Sequence, residues 1–414
     1  MLNRVFAKAK TVFEKKPKPL GFRKEHFGGI AQLTKPRALV FVDQAFAEEL
    51  TGVPNDSVQT EIHERRLSAP LEAHLQLTNR CDAGCKGCYT GASSTPAPGE
   101  QTLSEWKLSI DELASHGVFH LALGGGESAD LPWIGEIASY ASKKGLVPNL
   151  TTSGLSGLEN ILPVARLFGQ INVSIDGIGD DYRQVRGFDG FKKADNAVKE
   201  LRKVTKNIGI NVVVTRKNFD KLEELFLYAK RRRLSEIELL RFKPSGRGSS
   251  AYKGLSCSQT QHREFFPTIR RLVRKFRVRT KVDCSYTPML THHKPSPKDL
   301  KELAVYGCTA GDFLIGVKPN GAVSACSFAP PDKDRPTIEK LRSYWNQPTA
   351  FEQYRNWREL PEPCSSCAYL ELCRGGCRVV SRHVSGTIAA PDPECPRVFD
   401  HQKKNVTTRF LPVV

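Results

Sequence analysis

Three cysteines stand in the run Leu77-Thr78-Asn79-Arg80-Cys81-Asp82-Ala83-Gly84-Cys85-Lys86-Gly87-Cys88-Tyr89, with the spacing C-x3-C-x2-C. Iron–sulfur clusters are held by cysteine thiolates, usually four. Three so close together hold only three corners of a cuboidal [4Fe–4S] cluster and leave its fourth iron open to an outside ligand. The competing reading is a structural zinc site. It needs a fourth Cys or His nearby, and none lies between Cys88 and His116.

A second constellation occupies the carboxyl-terminal region: Cys308-x12-Gly321-x4-Cys326, then Cys364-x2-Cys367-x5-Cys373-x3-Cys377, then Cys395. Close C-x2-C spacing in a chain without a visible secretory signal points to metal rather than disulfides. A pair of zinc knuckles would also fit such spacing. Cys257 and Cys284 fall outside both groups. A free Cys is often simply buried, which accounts for Cys257 and leaves Cys284 open.

These residues need a scaffold, and from about Leu71 the chain alternates apolar runs with amphipathic stretches, the pattern of repeated βα units. Strands are predicted at Leu71–Leu77, Phe119–Leu123, Val147–Thr152, Ile171–Ile175, Ile208–Thr215 and Ile237–Lys243. Helices are predicted at Leu103–His116, Trp133–Lys144, Phe191–Val204 and Phe219–Arg232. Six such units are too few for a closed eight-stranded barrel. Functional residues belong at the carboxyl ends of the strands. There stand the cysteine loop, Gly124-Gly125-Gly126-Glu127, Thr151-Thr152-Ser153-Gly154, Ser174-Ile175-Asp176-Gly177, Asn218, Arg241 and Gly246-Arg247-Gly248. Glycines let backbone approach a ligand closely, whereas an Asp such as Asp176 at a strand end can equally cap the segment after it.

The cysteine triplet followed by the aromatic Tyr89 resembles the defining motif of the radical S-adenosylmethionine (SAM) superfamily. The resemblance implies an α/β fold, an open partial (βα)6 barrel, with the open iron chelating the amino and carboxylate groups of SAM. An external one-electron reductant of flavodoxin or ferredoxin type then drives cleavage to methionine and a 5′-deoxyadenosyl radical, which abstracts hydrogen from the substrate. Gly124, Gly125, Gly126 and Glu127 match the family's "GGE" motif, implying contact with the SAM amino group. Ser153 and Ser174 are the implied partners of its ribose and carboxylate. Arg186 resembles the arginine of an "RG" segment that pairs with the carboxylate, a role its forked donor geometry suits.

The carboxyl-terminal spacing is similar to that of SPASM domains, which are appended to radical SAM enzymes that modify peptides and proteins. By that likeness Cys364, Cys367, Cys373 and Cys395 hold one auxiliary [4Fe–4S] cluster, and Cys308, Cys326 and Cys377 contribute to another, giving one or two auxiliary clusters. The sequence departs from the fuller pattern in having no cysteine between Cys308 and Cys326. An open iron, a non-cysteine ligand, or a thiolate from Cys284 or Cys257 would complete that site.

The expected organisation is an amino-terminal hairpin and helix region at 1–53, a linker at 54–70, the barrel at 71–250, a bridging helical region at 251–300, the cysteine-rich iron–sulfur domain at 301–400 and a tail at 401–414. Met1–Lys16 alternates apolar and basic positions as an amphipathic surface helix would, and Pro54–Ser68 reads as linker. Within the first region Arg23, Glu25, Phe27 and Gly28 resemble the opening "R-x-E-x-F-G" of small winged domains that recognise leader peptides. A hairpin that only covers the barrel is the alternative. No apolar run is long enough to cross a bilayer, so the cytoplasm is the expected location and no membrane partner is expected.

The formal net charge is +18, which calls for an anionic partner. The resemblance makes that partner a ribosomally made precursor peptide with an acidic leader, modified by crosslinking, epimerisation or a related reaction. Modification of a folded protein, as by sulfatase maturases, is the second reading; Ser327-Phe328 stands after Cys326 where that branch places a basic Asp. Nucleic acid is the third. It would require aromatics interleaved with cations, and the basic stretch Arg270–Lys281 contains only Phe276. A plain electron carrier would not explain Gly124–Glu127 beside a three-cysteine loop.

Overall fold

The computed structural model describes residues 20–34, 37–52, 66–334 and 336–409. The amphipathic reading of Met1–Lys16 and most of the linker reading lie outside those residues. Three antiparallel strands open the described chain: β1 (Gly21–Glu25), β2 (Gly28–Thr34) and β3 (Arg37–Asp43), in the order β1-β2-β3. Asp43 then caps the helix Gln44–Thr51, its carboxylate accepting from the Phe46 amide at 2.9 Å.

The main sheet follows the predicted alternation. Its strands are β4 (Glu72–Thr78), β5 (His120–Gly125), β6 (Val147–Thr152), β7 (Ile171–Ser174), β8 (Ile208–Val214) and β9 (Ile237–Arg241), all parallel and paired in sequence order. Three more strands extend it. β10 (Thr280–Val282) lies parallel beside β9, while β11 (Leu314–Val317) pairs parallel with β4 and antiparallel with β12 (Val323–Ser324). These pieces of two to four residues are too short to show periodicity, which is why six strands are legible in the sequence and nine are present. The edges β10 and β12 do not pair, so the barrel stays open.

Strands covered on both faces are apolar nearly throughout, as in Ile-Gly-Ile-Asn-Val-Val-Val of β8. The helices present one apolar stripe to them: Phe191–Val204 buries Ala194, Ala197, Val198 and Leu201 and leaves its lysines outside. The inward face is polar and cross-linked. Asn172 donates to Asn211 at 2.7 Å and to Glu238 at 3.3 Å, and Asn211 donates to Thr151 at 3.4 Å.

The hairpin sheet docks through a buried ion pair. Arg23 Nε meets Glu25 at 2.8 Å, and Arg23 Nη1 donates to the carbonyls of Pro70 and Gly117, each at 2.8 Å. Glu25 also accepts from the Ser68 amide at 2.9 Å. Two residues of the "R-x-E-x-F-G" stretch therefore anchor the sheet beside the start of β4. Breaking a buried pair by removing one partner costs about 3–5 kcal/mol. Arg23→Ala is expected to loosen residues 20–52 by that order, read as faster hydrogen exchange there with the barrel strands unchanged.

Burial pushes the Glu238 carboxyl up to about 7; Lys281 opposes this, while Glu236, Asp283 and Glu72 add to it. Unfolded, the group ionises near its ordinary 4.5. Between those values the folded chain binds more protons, so this contribution is whole below pH 4.5 and falls as pH rises through 7. Glu238→Gln keeps the neutral form and is expected to gain on the order of 1 kcal/mol at pH 8 and nothing at pH 4.5. Paired thermal melts across that range read the difference.

Candidate cluster and cofactor site

The cysteine loop leaves β4 at the carboxyl end of the sheet and is held from three sides. Glu100 accepts from the Thr78 hydroxyl at 2.7 Å and the Asn79 amide at 2.6 Å, and the Cys81 amide donates to the Ser93 carbonyl at 2.7 Å. Beyond β9, Arg247 Nε donates to the Cys85 carbonyl at 3.0 Å, and its Nη1 donates to that of Ala92. Ser245 Oγ reaches the Tyr89 carbonyl at 2.9 Å. Gly246, at φ +55°, lies so close that a Cβ there would stand 2.5 Å from the Gly91 nitrogen and 2.6 Å from the Cys88 carbonyl oxygen. Gly246-Arg247-Gly248 is thus a clamp on the cysteine loop.

The third side is Gly124–Glu127. A Cβ on Gly126 would sit 2.0 Å from the Arg80 carbonyl oxygen, and one on Gly125, at φ +128°, 2.4 Å from that of Thr78. The Gly126 and Glu127 amides donate to those same two carbonyls, at 2.7 Å to Thr78 and 2.9 Å to Arg80. Gly124 differs. Only the Tyr89 hydroxyl comes near the place of its missing side chain, at 3.9 Å, so that place is open, while its carbonyl accepts from the Ser128 hydroxyl at 2.6 Å. Glu127 turns inward. Its carboxylate accepts from the Thr152 hydroxyl and the Ser153 amide at 2.8 Å each, from the Ala129 amide at 3.2 Å and from the Ser153 hydroxyl. Burial raises its pKa and these bonds oppose that. Glu127 and Ser153 thus fix the end of β5 to the end of β6. Ser174 ends β7, and among the described residues its hydroxyl has no partner.

Arg186 Nε contacts Asp176 at 2.7 Å and its Nη1 lies 3.7 Å from the Cys85 sulfur. Burial disfavours its charge, but Asp176, Tyr182 and Cys85 outweigh that and keep it cationic. Arg186 in turn opposes the burial that raises the Cys85 thiol. Cys81 is raised to about 11 by burial, with Glu127, Cys85 and Cys88 adding to it. Thiolates, not thiols, bind iron, so a cation beside Cys85 favours loading. Among the described residues no three Cys, His, Asp or Glu side chains close around a single ion. The Cys81 thiol is within electrostatic reach of those of Cys85 and Cys88. Three thiols, an adjacent cation and the open space at Gly124 fit a cluster carrying SAM.

Two other strand-end positions have different work. Asn218 is fully buried and donates to the carbonyls of Asp176 at 2.7 Å and Val213 at 2.9 Å, which shapes a turn. Arg241 is buried, with Asp392 at 2.6 Å and Glu394 at 2.7 Å. Neither faces an open pocket. The acidic partners escaped the sequence reading because 151 residues separate Arg241 from Asp392.

In the carboxyl-terminal region Cys364, Cys367, Cys373 and Cys395 line one cavity of about 670 Å³. Cys308, Cys326 and Cys377 form a separate neighbourhood, in which Cys308 feels Cys326 and Cys377 feels Cys308. Both donor sets suit iron–sulfur clusters.

Replacing Cys81, Cys85 and Cys88 together with Ala is expected to abolish SAM cleavage while removing only about four irons. Iron content and 5′-deoxyadenosine under reducing conditions measure the two effects. Continued 5′-deoxyadenosine formation would refute the assignment of the loop.

Residues 75–229 match the family model described as the radical SAM superfamily. The mycofactocin maturase MftC of Mycolicibacterium smegmatis is 29% identical over 344 residues, spanning 81% of this chain and 85% of that one. The PqqA peptide cyclase of Ruegeria pomeroyi is 29% identical over 356 residues, spanning 83% and 91%. The crystal structure of Streptococcus suis SuiB bound to S-adenosylmethionine superposes with a TM-score of 0.72 at 17% identity, covering 90% of this chain and 98% of that one. Residues 75–229 are thus a radical SAM domain, and the chain is a radical SAM enzyme related to SPASM maturases.

Proposed function

We propose that this enzyme binds a ribosomally made precursor peptide and modifies one of its residues after hydrogen abstraction. A cavity of about 790 Å³ between the strand ends and the carboxyl-terminal region carries this reading. One wall is Tyr89 and Thr90, directly after Cys88, whose sulfur lies 3.3 Å from the Thr90 hydroxyl. Lys318, Phe328, Arg382 and His383 also line it, Phe328 packing on Tyr89, and no Asp or Glu lines the cavity. Among the described residues neither Lys318 nor Arg382 has a carboxylate partner. Lys318 Nζ has only the Ser327 carbonyl, at 3.0 Å, and burial pushes its ammonium down to about 8, opposed by the Cys326 thiol. A space beside the cluster loop with unpaired cations fits a chain segment bearing carboxylates. The names of its relatives, a mycofactocin maturase and a PqqA peptide cyclase, support the substrate class.

When bound, the cluster and SAM supply a primary carbon radical from the reductant's electron. The protein positions and shields. Gly124 leaves room for SAM, Ser174 offers an unpartnered hydroxyl, and Tyr89, tilted against Phe328 with centroids 4.9 Å apart, stands between Cys88 and the cavity it lines. In this reading residues 71–250 are the radical domain and 301–400 carry the auxiliary clusters. The sheet β1-β2-β3 offers strand edges at β1 and β3 to which a leader would add by backbone pairing.

Anaerobic capture from the native host at low salt, with short peptides and RNA both quantified, tests the substrate class. Enrichment of one short acidic gene-encoded peptide is expected; a specific RNA without such a peptide would overturn the proposal. With that peptide, Lys318→Met and Arg382→Met are each expected to raise KM about tenfold or more, the loss of a charge-assisted hydrogen bond. SAM cleavage in the absence of peptide should persist in both.

A further inference from the structure

By spacing alone Cys284 has no evident place in either cysteine group. In the fold it follows β10 and stands at the same end of the sheet as the cysteine loop. Three side chains tie its backbone to the three thiols that lack a fourth. The Thr287 hydroxyl lies 2.8 Å from both the Cys284 carbonyl and the Tyr306 carbonyl, the latter two residues before Cys308, and its one proton serves either. Arg241 Nη1 donates to the Ser285 carbonyl at 2.8 Å and to Asp392, which accepts the Cys377 amide at 2.9 Å. Lys243 pairs with Asp283 and lies 4.2 Å from the centre of the Phe328 ring, two residues after Cys326.

We infer that Cys284 is the fourth thiolate of the site formed by Cys308, Cys326 and Cys377. The inference rests on the reading that the carboxyl-terminal cysteines hold clusters. The surroundings agree with it. The Cys284 thiol lies within electrostatic reach of Cys308 and Cys377, and Lys243 is near Cys284, Cys377 and Cys326 alike. A cluster held by four thiolates carries net negative charge, and a buried ammonium beside it lowers the cost of that charge. Cys257 is the contrast. Its neighbours are Glu394, Arg241, Tyr286 and Arg216, with no other cysteine among them. With Cys284 in place both auxiliary sites are closed by protein, so neither has an iron free for substrate. Their chemistry is electron transfer.

The test uses the full chain carrying Cys81→Ala, Cys85→Ala and Cys88→Ala, so that all remaining iron belongs to the carboxyl-terminal sites. Iron, sulfide and the electron paramagnetic resonance spectrum of the reduced protein are compared with and without Cys284→Ser, and with Cys257→Ser as a control for a buried thiol. Circular dichroism checks that both variants fold. The expected result is that Cys284→Ser loses about two to four irons or replaces one of two reduced-cluster signals with an altered one, while Cys257→Ser matches its parent. Unchanged iron and an unchanged spectrum in a folded Cys284→Ser protein would overturn the inference. A parent without iron would overturn it together with the cluster reading on which it depends, and so is told apart from the first failure. Cys284→His offers a second check: a restored iron count with a shifted spectrum is expected of a ligand position, and would not follow from a packing defect.

Discussion

The salt bridge between Arg241 and Asp392 joins the main sheet to the carboxyl-terminal cysteine region. Both side chains are essentially inaccessible, and Arg241 meets both carboxylate oxygens, at 2.6 and 3.0 Å. Asp392 also accepts the amides of Cys377 and of Glu394, the latter at 3.1 Å. A buried charge pair costs least when its remaining hydrogen-bonding capacity is met, and here all of it but Arg241 Nε is spent on the cysteine-bearing loops and their neighbours. The end of β9 thereby sets the position of Cys377, and through Ser285 that of Cys284. His262, 3.0 Å from Glu394, brings the long Gln259–Phe276 helix into the same network.

How much of this was legible depends on the range of the interaction. The cysteine loop, the glycines of β5 and the six central strands follow from local periodicity and spacing, and the strands stand within two residues of the predicted bounds. Arg186 was legible as a residue of the site, but its partners Asp176 and Cys85 emerge only when β7 and the loop after β4 meet in space. Asn218 and Arg241 were placed correctly at strand ends, yet each is bound internally, because a strand end also has to be tied to its neighbours. β11 and β12 were hidden inside the Cys308–Cys326 interval, where the spacing of thiols gave no hint that the chain between them returns to pair with β4.

Charge shows the same division between count and placement. The dense basic stretch from Arg270 to Lys281 is largely answered within the fold: Arg271 and Lys275 meet Glu223, Lys281 meets Glu236, and Arg270 meets Asp299. Such exposed pairs add little stability, but they remove that face from consideration as a groove for an anion. Lys318 and Arg382 belong to the excess that is not answered in this way. On the proposed function, these two cations place the attraction of an acidic chain near the cysteine loop, where it would order the encounter as well as hasten it.

The Gly246 backbone serves the cavity and the cysteine loop at once, since it lines the first and touches Cys88 and Gly91 in the second. A bulkier residue there would reshape the cavity only by displacing the cysteines. Pro331 also lines the cavity, and it bridges to Ser324, two residues before Cys326. Room for a substrate is therefore coupled to the cysteines on both counts: a change at Gly246 moves the loop of Cys88, and a change at Pro331 disturbs the segment that leads to Cys326.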